Sequence, residues 1–216
     1  MEFGRFDVTY CIVSFVYVIQ QMLYLQDFYL VYILMKKCHC TTMVFTEQCD
    51  SAPFLAYTLR NLGIRAIPLH VLATGLLRNL WRSSNLACLY KLLAQQKRLG
   101  ALNMFKSGQC NVLICTDVAS RGLDIPSVDM VINYDIPKNP KNYIHRVGRT
   151  ARAGRSGAAI TFLSSPLELP GQEVTLFPVP AEEALQFQES VEEARRLANL
   201  KLNEKGGKKR KRRRKR

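Results

Sequence analysis

Short apolar runs alternate along this chain with stretches whose apolar positions recur every three or four residues. Period two or a continuous short run marks a strand; period 3.6 marks a helix. Thr42–Thr46 reads as a strand. Asp50 or Ser51 then caps a helix that carries Phe54, Leu55, Leu59 and Leu62 and stops at Gly63. Ala66–His70 reads as a second strand, with Pro68 fitting poorly in it. Leu93–Phe105 follows as a helix, and Asn111–Thr116 and Met130–Tyr134 as buried strands. Asn139–Arg152 reads as helical and Ala158–Leu163 as one more strand. Strands that alternate with helices predict an α/β fold, a parallel sheet with helices on both faces. Ligands in such folds lie beyond the carboxyl ends of the strands, which draws attention to Thr116 and Asp117.

The flanks depart from this rhythm. Tyr10–Ile19 is apolar and rich in β-branched and aromatic residues. It is too short to span a bilayer, which takes roughly 20 residues, and reads as a buried strand or an atypical extension. Val71–Ala94 is leucine-rich, holds Arg78, Arg82 and Lys91, and contains no acid; it reads as an insertion. Four prolines fall between Pro166 and Pro180, marking a linker. In Ala181–Leu202, Phe187, Val191, Ala194, Ala198 and Leu202 share one helical face. The expected division is 1–27 as an extension, 28–165 as the α/β domain with 71–94 inserted, and 166–180 as a linker. An amphipathic helix at 181–204 and a disordered basic tail at 205–216 complete it.

Composition adds a nucleic-acid signal. The formal charge is +14, and ten of the 31 Lys and Arg residues lie in Lys205–Arg216, which has no acid. Such a tail binds RNA through phosphate neutralisation and counterion release, and resembles a nuclear or nucleolar targeting segment. Seven irregularly spaced cysteines without a secretory signal point to a reducing compartment. Cys38-His39-Cys40 is too tightly spaced for the usual zinc knuckle and reads as a turn.

Two segments carry candidate chemistry. Thr116-Asp117-Val118-Ala119-Ser120-Arg121-Gly122-Leu123-Asp124 follows directly on a buried strand. Thr116 can donate to a phosphate, Asp124 can accept from sugar hydroxyls, and Gly122 opens backbone shapes closed to other residues. An ion pair from Asp117 to Arg121 or Arg146 would instead tie the loop internally. Further on, Arg146, Arg149, Arg152 and Arg155 recur every third residue among Gly and Ala. If this stretch is helical, the first three share a face. Guanidinium forks match phosphate oxygens and hold their charge at any useful pH.

Thr116–Asp124 resembles motif V of the DEAD-box RNA helicases, and His145–Arg152 resembles their motif VI. Met43-Val-Phe-Thr46 resembles motif IV, and Gln95 with Arg98 the family's Gln-x-x-Arg pair. Leu59-Arg-Asn-Leu-Gly63, Lys97–Leu102 and Tyr143-Ile-His-Arg146 resemble the Rrp-three-like branch that matures small-subunit ribosomal RNA. The likeness runs from Phe28 to Phe162, the insertion excepted. It implies the second of two RecA-like domains in an ATP-dependent RNA helicase, a nucleotide-binding hydrolase. By residue match, Arg149 and Arg152 would be arginine fingers on the γ-phosphate, and His145 would link ATP to RNA through the partner domain. Asp124, with Gly122 in its loop, would hold the ribose. Thr116, Gln95, Arg98 and Thr46 would face the RNA backbone.

No G-x-x-x-x-G-K-[S/T] phosphate loop and no Asp-Glu-Ala-Asp stretch occurs in the sequence. In the family these belong to the first domain, which also holds the Mg of Mg-ATP. The resemblance therefore implies a chain inactive alone, with RNA, the first RecA-like domain and pre-ribosomal proteins as partners, no membrane, and a nuclear or nucleolar location. It also implies a final helix directly after the strand near Phe162, where the prolines stand instead. The alternative is a non-enzymatic RNA-binding or regulatory fragment.

Overall fold

A computed structural model describes the backbone of residues 15–20, 25–69, 84–120, 122–152, 154–163, 177 and 179–214. Among these residues six strands alternate with helices. They are β1 (Phe15–Gln20), α1 (Gln26–Lys36), β2 (Thr42–Phe45), α2 (Ser51–Asn61) and β3 (Ala66–Leu69). Next come α3 (Ser84–Lys106), β4 (Val112–Cys115), α4 (Asp117–Ser120) and β5 (Met130–Asn133). The order closes with α5 (Pro140–Val147), β6 (Ala158–Leu163), α6 (Ala181–Leu185) and α7 (Gln188–Arg214). One sheet runs β1-β6-β5-β2-β4-β3, with every neighbouring pair parallel.

Alternation along each strand assigns its side chains to two cores. Val44, Val112, Ile114, Met130, Ile132, Ile160 and Phe162 face α1, α2 and the C-terminal helices. Met43, Phe45, Leu113, Cys115 and Val131 face the other layer with Leu102 and Phe105 of α3. Burial on both faces explains why β2, β4 and β5 read as unbroken apolar runs. Pro68 is tolerated because β3 is, among the described residues, an edge strand paired with β4 alone.

The structure revises the expected boundaries. β1 is part of the sheet, paired with β6 from Phe15↔Ala158 to Gln20↔Leu163, so the fold does not begin at residue 28. Residues 84–94 form the first turns of α3, while 71–83 lie outside the described residues. So do 164–176, the body of the expected linker; Phe177 and Val179 pack against the first core.

The predicted amphipathic helix is two helices rather than one. Of the predicted face Val191, Ala194 and Ala198 are buried, while Phe187 and Leu202 are half-buried. Asn61 of α2 donates to the Ala194 carbonyl at 3.0 Å. A final helix therefore does cover this face, but only after the proline-rich segment. α7 also continues to Arg214, where a disordered tail was expected. Lys and Arg are good helix formers, and a helix already anchored on α2 can be extended without a new nucleation step.

Candidate nucleotide and RNA interface

The carboxyl ends of β2, β4 and β5 meet at one rim. Parallel register places Phe45 beside Cys115 on one side and Asn133 on the other. Thr46 donates its backbone N–H to the Cys115 carbonyl at 2.9 Å, and Glu47 donates to Asp135 Oδ2 at 2.8 Å. The segments leaving three strands are thereby held together before any side chain acts.

Arg146 organises what lies on this rim. It is only 1% exposed, the largest fully buried side chain among the described residues. Nε lies 2.7 Å from Asp117 Oδ1, and NH2 lies 2.9 Å from Oδ2. NH1 donates to the Asp135 carbonyl at 2.6 Å and to Asn133 Oδ1 at 3.3 Å. The guanidinium also stacks 5.1 Å above the Phe45 ring. A bidentate fork satisfied on all sides is the condition under which a buried arginine is tolerated. Of the two internal ties foreseen for this loop, Asp117–Arg146 is present, and Arg121 lies outside the described residues.

The helical reading of 139–152 is corrected here. Asn139 caps α5 by accepting from Lys141 N at 2.9 Å, but the helix ends at Val147, with Gly148 as its C-cap. The chain then turns back to the sheet. Thr150 forms a bridge with Val128 and donates from Oγ1 to the Val128 carbonyl at 2.6 Å. Ala151 takes φ +53°, a conformation that costs an L-residue roughly 1–2 kcal/mol. A Cβ on Gly157 would overlap Thr150 Oγ1 and stand 2.7 Å from the Ala151 nitrogen. Gly157→Ala is accordingly expected to lower the thermal midpoint and to perturb the NMR resonances of residues 148–152 before those of β4. Arg146, Arg149 and Arg152 thus do not share a helical face: the first points into the fold, and the others are carried by a turn.

That turn presents the remaining cations. His145 and Arg152 are exposed and Arg149 is half-buried. Phe45, Asp117, Ser120, Asn142, His145, Arg146 and Arg149 line one hollow. Burial, with Arg152 as a second cause, pulls the Arg149 guanidinium below its ordinary pKa. Two like charges held close at a partly desolvated rim favour an incoming anion. Arg152 is braced by donating from Nε to the Gly148 carbonyl at 2.5 Å. Among the described residues neither Arg149 nor Arg152 has a carboxylate partner.

The loop after β4 supplies the polar complement. Gly122 takes φ +70°, which glycine adopts without penalty. Asp124 follows, its side chain 94% exposed and 2.8 Å from Lys106 Nζ. That hydrogen bond, and more weakly Arg152, hold its carboxyl below the usual carboxylate range. Thr116 and Thr46 are buried at adjacent strand ends. Gln95, exposed, and Arg98, half-buried, lie on α3. Asn133 and Asp135 are not among the candidate residues of the sequence, and Phe45 entered only as part of the motif IV resemblance. Asn133 is a polar residue ending an apolar strand, and that was the available signal.

The helicase conserved C-terminal domain family matches residues 24–154 of this chain. The chain belongs to the DEAD-box RNA helicases, as their C-terminal domain. It is 50% identical over 193 residues to DEAD-box ATP-dependent RNA helicase 10 of Arabidopsis thaliana, covering 86% of this chain and 38% of that protein. It is 42% identical over 185 residues to the ATP-dependent rRNA helicase RRP3 of Gibberella zeae, covering 82% and 34%. It also resembles the structure of S. cerevisiae Dbp5 L327V bound to RNA and ADP BeF3, with TM-score 0.60 and 26% identity over 85% of this chain and 46% of that one. The chain spans less than two fifths of the length of these curated relatives. The rim of this helicase domain is the end of a RecA-like sheet, where the segments that resemble motifs IV, V and VI meet. Among the described residues no three His, Cys, Asp or Glu side chains gather as a metal site. No described helix is long and apolar enough to cross a membrane.

Proposed function

We propose that this chain is the second RecA-like domain of an ATP-dependent RNA helicase acting on ribosomal RNA in the nucleus or nucleolus. Arg149 and Arg152 meet the γ-phosphate of a nucleotide seated on an N-terminal RecA-like domain. The observation that carries this reading is their placement. Both sit on a turn fixed from beneath by Arg146 and Thr150, yet neither is paired with an acid among the described residues. Charge accumulating on a transferring phosphoryl group is stabilised by donors that are already in place. Asp124 stays ionised and exposed, suited to accept from ribose hydroxyls. His145 is exposed and lies in the same hollow as Arg149, which supports a contact with the partner domain.

Thr46 and Thr116, with Gln95 and Arg98 on α3, supply contacts to the RNA backbone. Phosphate and sugar contacts position RNA without reading its bases. The family resemblance assigns magnesium to the first domain. The ribosomal RNA assignment draws on the relative named as an rRNA helicase, and pre-ribosomal proteins follow as partners. The basic end of the chain supports RNA retention and nuclear targeting.

Mixing experiments test the proposal. The purified chain is expected to show no RNA-stimulated ATP hydrolysis. Adding the N-terminal RecA-like domain of a related helicase in trans restores turnover. Robust hydrolysis by the chain alone, or none with any matched partner domain, would count against it. Deleting 205–216 separates the rival reading, under which all RNA affinity disappears with the tail.

A further inference from the structure

Beneath the rim lies a buried acid that the nucleotide chemistry does not use. The Asp27 side chain, near the start of α1, is 5% exposed. Tyr134 donates its hydroxyl to Oδ1 at 2.7 Å, and Arg195 NH1 of α7 lies 3.0 Å from Oδ2. Arg195 also stacks 5.8 Å from the Phe54 ring, and Tyr134 meets Phe162 edge-on with centroids 6.0 Å apart. Burial and the neighbouring Asp27 raise the Tyr134 pKa, so the hydroxyl keeps its proton and remains a donor.

Tyr134 stands between the two residues whose oxygens hold Arg146. Asn133 Oδ1 and the Asp135 carbonyl both accept from NH1. Successive side chains of a strand project to opposite faces. The end of β5 is therefore gripped from one face by Arg146 and from the other by Asp27. A buried ion pair is weak evidence of net stability against an apolar replacement, but it fixes register and direction.

We propose that the C-terminal helix α7 is a positioning element for the rim arginines, acting through Arg195, Asp27 and Tyr134 on the end of β5. Docking of α7 orients Asp27, Asp27 holds Tyr134, and Tyr134 sets the backbone that receives Arg146. Arg146 is followed three residues later by Arg149, so a shift of the first moves the second. Anything that unseats α7 loosens the rim without touching it.

Hydrogen–deuterium exchange on the full chain tests the clamp. It needs neither nucleotide nor partner domain, so failure here is separable from failure of the helicase reading on which the rim's role rests. Tyr134→Phe keeps the ring and loses the donor; Arg195→Met keeps the stem and loses the charge. In both, the amides of Tyr134 and Asp135, bonded to the Phe45 carbonyl, and those of Arg149 and Thr150, bonded to Arg146 and Val147, are expected to exchange about tenfold faster. The amides of β4 keep their rates, and Arg195→Lys recovers most of the protection. Acceleration spread evenly over β4 and the rim would mean a general loss of stability and would overturn the proposal. Unchanged exchange at the rim would overturn it as well.

Discussion

Arg149→Ala is expected to lower kcat of an assembled two-domain helicase by about a thousandfold, within the range an arginine finger contributes to phosphoryl transfer. The magnitude follows from what the fold has already arranged. Arg149 leaves the end of α5 one turn beyond a buried arginine, on a backbone tied to Val128 through its own carbonyl. Little rearrangement remains when charge develops on the phosphate, and electrostatic stabilisation is strongest where donors are fixed and water is excluded. Arg149→Lys is expected to recover only part of the rate, because a point charge replaces a planar fork. Arg152→Ala should also be severe, and the double variant should lose far less than the product, since residues acting on one phosphate are not additive. The check is single-turnover hydrolysis with RNA saturating, beside thermal unfolding of the isolated chain. Arg149 has no ion-pair partner among the described residues, so its removal should leave the midpoint nearly unchanged. A rate reduced less than tenfold would remove Arg149 from the phosphate.

Much of the sheet was legible because burial on two faces writes itself as local composition. Val112–Cys115 and Met130–Asn133 need no information from elsewhere to be recognised as strands. The flat stretch from Tyr10 onward was ambiguous for the opposite reason. β1 pairs with β6, whose Ala158 lies 143 positions beyond Phe15, and nothing local announces that neighbour. The same limit governs the arginines. A three-residue spacing is a helical signal only while the helix lasts, and here Gly148, the Thr150 bridge and the close approach of Gly157 end it. Charge is ordinarily a sign of exposure. Arg146 breaks that rule because Asp117, Asn133 and Asp135 converge on it from two other segments. Spacing could therefore nominate the arginines as a set, but only the tertiary fold divides them into one that supports and two that reach outward.

That division makes Asp117 a sensitive position for stability. Asp117→Ala strands a buried guanidinium, and breaking a buried pair by removing one partner costs about 3–5 kcal/mol. Two oxygens are lost at once, those accepting from Nε at 2.7 Å and NH2 at 2.9 Å. Asn133 Oδ1 and the Asp135 carbonyl remain, but both address NH1. Urea unfolding should show the loss as a lower midpoint with an unchanged slope. Asp117→Asn keeps one acceptor and should cost less than Asp117→Ala. The decisive variant pairs Asp117→Leu with Arg146→Met. Apolar replacement of both partners often restores stability, so this double variant should unfold much closer to the parent than Asp117→Ala does. It should nonetheless fail to support hydrolysis in trans, because the anchor beneath Arg149 is gone while Arg149 itself is intact. Recovery of both stability and turnover would show that Arg146 only fills space. Recovery of stability alone separates the two duties of this side chain, holding the fold and aiming its neighbour.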